Sequence, residues 1–134
     1  MSEGVGTRGI LVAHGSMAQG LADAVRRISG VDDTVVIPLS NDGKSPQVLQ
    51  EDLDRVLEGL EGSPAIVFTD LPGGSCALAA RLCSRAHPDH AVVTGVNLPI
   101  LLEFVFNRQL PLPELVPRLL AKGVGSVTSA PEFP

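Results

Sequence analysis

The feature that most restricts this chain is the octet Gly9-Ile10-Leu11-Val12-Ala13-His14-Gly15-Ser16. A wholly apolar run of strand length breaks into a histidine, a glycine and a hydroxyl residue, and a helical pattern begins at once. An unbroken apolar run of this length fits a strand buried on both faces, as in a parallel sheet covered by helices. In open α/β sheets, ligands bind in the crevice beyond the carboxyl ends of the strands. His14 therefore falls where an imidazole titrating near neutrality can serve as nucleophile, base or ligand. A loop histidine bonded to nearby backbone would look the same from this octet alone, so the other strand ends must decide.

Taken in order, the chain alternates. Residues 1–8 are Gly-rich and polar and read as a flexible lead-in. Met17, Leu21, Val25 and Ile28 recur at helical spacing, with Gly30 placed to end that helix in left-handed geometry. Thr34 to Leu39 is a second strand, with Pro38 at its end or on a sheet edge. Ser45-Pro46 caps and opens a second helix carrying Leu49, Leu53, Val56, Leu57 and Leu60 on one face, expected to stop at Gly62. Ala65 to Thr69 is a third strand, followed by Asp70-Leu71-Pro72-Gly73-Gly74-Ser75 and a helix from Cys76 to Arg85. Ala91 to Thr94 is a fourth, followed by Gly95-Val96-Asn97-Leu98-Pro99 and a helix through Phe106. A further helix with Leu115, Leu119 and Leu120 is expected to begin late or bend at Pro117. Val124 to Thr128 reads as a last short strand at the sheet edge or exchanged with a second subunit, and 129–134 as a tail. The fold class is α/β: one domain over 9–128, an open, mostly parallel, doubly wound sheet with helices on both faces.

Composition removes several function classes. With only four Phe and neither Trp nor Tyr, the core must be aliphatic and no stacking platform for bases exists. A net charge of −5 and sparse basic clusters at Arg26-Arg27, Arg81-Arg85 and Arg118-Lys122 argue against nucleic acid. No apolar run approaches the roughly 20 residues that span a bilayer, and no charged-then-apolar leader opens the chain, so a cytoplasmic protein is expected. Cys76 and Cys83 lie seven apart on one helix, too far to bridge, and without zinc-ligand spacing; they read as small buried thiols, with no metal site and no cofactor.

The chemistry comes from the strand ends. Where the first strand neighbours the third, the strand order reverses, and His14 and Asp70 flank the resulting crevice. A carboxylate there can accept a hydrogen bond from one imidazole nitrogen, fixing the tautomer and leaving the other lone pair to attack. Gly73, Gly74 and Ser75 bring backbone N–H groups to an anion at a helix start, and Gly15 and Ser16 occupy the same position on the first helix. Each part has a plainer use: Asp70 as a turn former, the glycines as a tight turn, Asn97 as a brace for its loop. Their conjunction points to phosphoryl transfer through a phosphohistidine.

On Ala13-His14-Gly15-Ser16, Thr69 to Ser75 and Gly95-Val96-Asn97-Leu98-Pro99, the chain from about Arg8 to Thr128 resembles the IIA components of the mannose family of the bacterial sugar phosphotransferase system. The resemblance implies that His14 takes a phosphoryl group from HPr and passes it to a separate IIB protein, which serves membrane IIC and IID components. It also implies that Asp70 orients His14, that Gly74-Ser75 contact the phosphoryl oxygens, and that the protein is a homodimer exchanging its last strand. The chain departs from the family pattern at Leu71 and Pro72, where many members carry Thr and Trp, and at Pro117. Alternatives are the related phosphocarrier of dihydroxyacetone kinase, a module that only senses phosphorylation, and a tetrapyrrole metal chelatase, whose opening strand is similar. A chelatase would want more ligands at the crevice, whereas His87 and His90 are expected in an exposed loop at the opposite, amino end of the fourth strand.

Overall fold

The computed structural model describes residues 6–133. Its elements alternate: β1 (Arg8–Ala13), α1 (Met17–Ser29), β2 (Val36–Ser40), α2 (Pro46–Glu58), β3 (Ala65–Thr69), α3 (Gly74–Ala86), β4 (Ala91–Thr94), α4 (Leu98–Phe106) and α5 (Leu112–Gly125). The four strands form one sheet in the order β2-β1-β3-β4, with every pairing parallel. The expected reversal thus lies between β1 and β3, whose registers align Val12 with Thr69.

Alternation along the strands splits the core into two layers. Leu11, Ala13, Ile66, Phe68 and Val93 face α1, α4 and α5, while Ile10, Val12 and Val67 face α2 and α3. Helices therefore cover both faces, as the unbroken apolar runs require. Phe68 and Phe104 meet edge to face with ring centroids 5.2 Å apart. Gly9 makes room for that pair, since a methyl group there would lie 3.0 Å from the Phe104 ring and 3.2 Å from that of Phe68.

Several boundaries differ from the sequence reading for local reasons. Residues 1–5 of the lead-in lie outside the described residues. Thr7, in contrast, is buried; its N–H donates to Arg108 O at 3.0 Å and its carbonyl accepts from Arg108 Nε at 2.9 Å. β2 begins at Val36 and not at Thr34, because Asp32 Oδ1 takes both the N–H and the hydroxyl of Thr34 and holds it in a turn. α2 ends at Glu58, and successive i to i+3 bonds from Leu60 and Glu61 carry the chain round to Gly62, at φ 87°.

The largest correction concerns the end of the chain. α5 begins at Leu112, ahead of Pro117, with Pro113 in its first turn. Pro117 removes a single N–H on an exposed face, while Leu115 and Leu119 are fully buried and hold the helix together. Val124 and Gly125 belong to this helix, and the N–H groups of Ser126 and Val127 fold back onto the carbonyls of Gly123 and Val124. No edge strand forms over Val124–Thr128: Val124 and Gly125 lie in α5, and the N–H groups of Ser126 and Val127 bond back to that helix and not to β4.

Candidate functional site

The strands deliver their polar groups to one edge. β1 ends at Ala13, and Gly15, at φ 59°, adopts the left-handed geometry that turns the chain from His14 into α1. β3 ends at Thr69, and Asp70 follows in the next crevice position. The two side chains meet: His14 Nδ1 lies 2.8 Å from Asp70 Oδ2, and the same oxygen accepts the His14 backbone N–H at 3.0 Å. The other oxygen, Oδ1, accepts the N–H of Leu71 at 3.0 Å. The Asp70 side chain is 8% exposed, and that of His14 is 45% exposed. Burial by itself would raise the Asp70 pKa, but the backbone N–H and ring of His14 outweigh it and hold the carboxyl below its ordinary value. An ionised Asp70 takes the proton-bearing Nδ1, which leaves the lone pair of Nε2 uncommitted.

Two helix starts flank the imidazole. α3 begins at Gly74, after Gly73, with no side-chain cap, so its first amides, including Ser75 and Cys76, have no intrahelical acceptor. Gly74 stands at φ 88°, with open space where a Cβ would be, so its backbone torsion alone calls for glycine. α1 begins after Ser16, whose exposed hydroxyl makes no cap bond. Both starts carry the positive end of a helix dipole toward the crevice. Met17 and Leu71, 41% and 53% exposed, and Pro72 make its rim apolar.

Asn97 has the plain structural use expected of it. Its Oδ1 accepts the N–H of Ile100 at 2.9 Å, which makes it the N-cap of α4. His87 and His90 do lie at the amino edge of the sheet, but they are half-buried and not exposed. His90 Nδ1 accepts the N–H of Ala65, the first residue of β3, at 3.0 Å.

Two site residues escaped the sequence reading. Ser40, at the end of β2, donates to Gly15 O at 2.8 Å and braces the turn after His14; its register opposite Ala13 is the signal that places it there. Cys76 is buried, as expected of a small thiol, yet its Sγ lies 3.8 Å from His14 Nδ1. Burial, followed by the charge of Asp70, pushes its pKa up. His14, Asp70 and Cys76 are the one group of three metal-capable side chains among the described residues, with donor atoms all within 4.8 Å of one another. No helix among these residues is long and apolar enough to cross a membrane.

Known proteins with this sequence pattern and fold agree with one another. The sorbose-specific EIIA component of the phosphotransferase system from Klebsiella pneumoniae is 28% identical over 102 residues, 74% of this chain and 73% of the relative. The phosphotransferase system component EIIA from Streptococcus agalactiae superposes with a TM-score of 0.83 at 25% identity, over 92% of this chain and 96% of that one. The mannose/sorbose-specific IIA subunit from Enterococcus faecalis shares the fold with a TM-score of 0.84 at 24% identity, over 97% and 98% of the two chains. The family model EIIA-man, described as the PTS system fructose IIA component, matches residues 9–116. Spanned by that model over most of its length, the chain belongs to the EIIA-man family of phosphotransferase-system IIA components.

Proposed function

We propose that this chain is a cytoplasmic phosphocarrier whose His14 Nε2 accepts a phosphoryl group from phospho-HPr and passes it to a IIB protein, which serves membrane IIC and IID components. The observation that carries the reading is the 2.8 Å contact between His14 Nδ1 and the buried carboxylate of Asp70. It orients the ring with Nε2 as the nucleophile and supplies a negative partner for the imidazolium charge that develops when Nε2 is phosphorylated. The uncapped start of α3 at Gly73, Gly74 and Ser75, with Gly15 and Ser16 opposite, provides amides and a hydroxyl for the three phosphoryl oxygens. Donor and acceptor are both histidines, so little net free energy is needed, and the protein's contribution is position and charge, with no cofactor. The apolar rim of Met17, Leu71 and Pro72 suits protein partners that dock around an exposed imidazole. Leu120, Val124 and Val127, on a groove beside Thr94 and Gly95, are the surface we assign to pairing with a second copy.

The test is intact-mass spectrometry after incubation with phosphoenolpyruvate, enzyme I and HPr. One acid-labile phosphoryl adduct is expected on the wild type and none on His14→Ala. An unmodified wild type beside fully phosphorylated HPr overturns the reading.

A further inference from the structure

We propose that His14, Asp70 and Cys76 form a three-donor site for a borderline-soft divalent cation, Zn2+ above all, and that filling it switches His14 off as a phosphoryl acceptor. The site itself stands on geometry alone; its consequence rests on the phosphocarrier reading.

The three donors differ in kind and converge on one point. Nδ1 of His14 lies 2.8 Å from Asp70 Oδ2 and 3.8 Å from Cys76 Sγ, and the donor atoms all fall within 4.8 Å of one another. Tetrahedral zinc with bonds of about 2.0–2.3 Å needs its donors roughly 3.3–3.6 Å apart. The carboxylate and ring must therefore part by about 0.5 Å, and the thiol must close on the ring by a few tenths. His14 is the member free to make that adjustment, being 45% exposed, while Asp70 is held by the N–H groups of His14 and Leu71. A nitrogen, a carboxylate oxygen and a sulfur select Zn2+ or Co2+ over Mg2+ and Ca2+, which want oxygen alone. The exposed side of His14 leaves the fourth position to water.

The switch follows from the tautomer. Without a cation, Nδ1 carries the proton that Asp70 accepts, and Nε2 keeps its lone pair. A cation on Nδ1 displaces that proton to solvent, and a neutral imidazole then carries its one proton, taken up from solvent, on Nε2. The nucleophilic lone pair is gone. Cys76 gives up its thiol proton to become the sulfur ligand, so one net proton leaves per cation bound. Cys83 is the internal control: it sits on the same helix, but its Sγ donates to Gln50 O at 3.6 Å, away from His14.

The experiment titrates the chelator-stripped full chain with Co2+, whose thiolate ligation gives a near-ultraviolet charge-transfer band. One Co2+ per chain is expected, bleached by Zn2+, with the band kept in Cys83→Ser and lost in Cys76→Ser and His14→Ala. Cys76→Ala serves in place of the serine variant if circular dichroism shows that the latter does not fold. Absence of the band in the wild type, or its persistence without the Cys76 thiol, overturns the site. The second arm follows phosphoryl transfer from isolated phospho-HPr with and without equimolar Zn2+. At least tenfold slowing is expected in the wild type, and none in the Cys76 variant under the same Zn2+. Equal slowing in both, or none in the wild type, overturns the switch. A chain that shows the band but never accepts a phosphoryl group retains the metal site and loses the phosphocarrier reading.

Discussion

Asp70 engages His14 twice with one oxygen, at the backbone N–H and at Nδ1, so it fixes both where the ring sits and which nitrogen bears the proton. Asp70→Asn keeps the shape and removes the charge. An amide oxygen can still accept from the ring, but it offers little to the imidazolium that phosphorylation creates. Phosphoryl acceptance measured by rapid quench should fall by about 10²-fold or more with circular dichroism unchanged; unaltered kinetics would remove Asp70 from the mechanism. Gly74 poses a different question at the same scale. Open space surrounds the position of its missing Cβ, so Gly74→Ala meets no neighbour and is strained only by φ 88°. Urea unfolding should report a loss of about 1–2 kcal/mol, the cost of left-handed backbone for an L residue. A neutral result would mean that the start of α3 relaxes to a different torsion and that the anion cradle is adaptable.

At the scale of elements, His14, Asp70 and the Gly73-Gly74-Ser75 turn were legible in the sequence for a shared reason. A parallel sheet puts the carboxyl ends of β1 and β3 on one edge, and a reversed strand order puts them beside one crevice. Cys76 was not legible as a site residue, because which side of the first turn of α3 meets His14 depends on how the helix crosses the sheet. Nor was the true end of α5: Val-Gly-Ser-Val-Thr alternates like a strand, while the helix continues because Gly123 lets it pack on α4. A methyl group at Gly123 would lie 2.5 Å from Ile100 Cδ1. That tertiary contact has no sequence periodicity of its own. The seam between these helices is also fixed at its start, where Asn97 caps α4 through Ile100 N–H. Asn97→Ala should cost about 1 kcal/mol in urea unfolding, as loss of an N-cap does, while phosphoryl acceptance stays at the wild-type rate. A change in rate without a change in stability would instead give Asn97 a part in the chemistry.

The stability of the whole molecule depends on pH through groups at both edges of the sheet. At the amino edge, burial, aided by the charge of His87, pushes the His90 pKa below its ordinary value of 6.5. The same nitrogen that accepts the Ala65 N–H would have to lose that bond to be protonated. The unfolded chain therefore takes up a proton at a pH where the folded chain does not. Stability from this group is complete above pH 6.5 and is lost as pH falls from there through the lower folded value. At the carboxyl edge, the depressed Asp70 pKa acts the same way further down: its contribution is present above the ordinary 3.8 and is lost as pH falls through the folded value. The acid side of the stability profile should thus begin to descend below pH 6.5 through His90 and descend further below 3.8 through Asp70, with the plateau above 6.5. His90→Asn can present an amide oxygen to the Ala65 N–H but binds no proton. Urea midpoints should fall less in this variant than in the wild type as pH drops below 6.5, and the two curves should run parallel above it. Parallel curves throughout would mean that His90 titrates alike in both states and that the bond to β3 contributes nothing to the acid sensitivity of the fold.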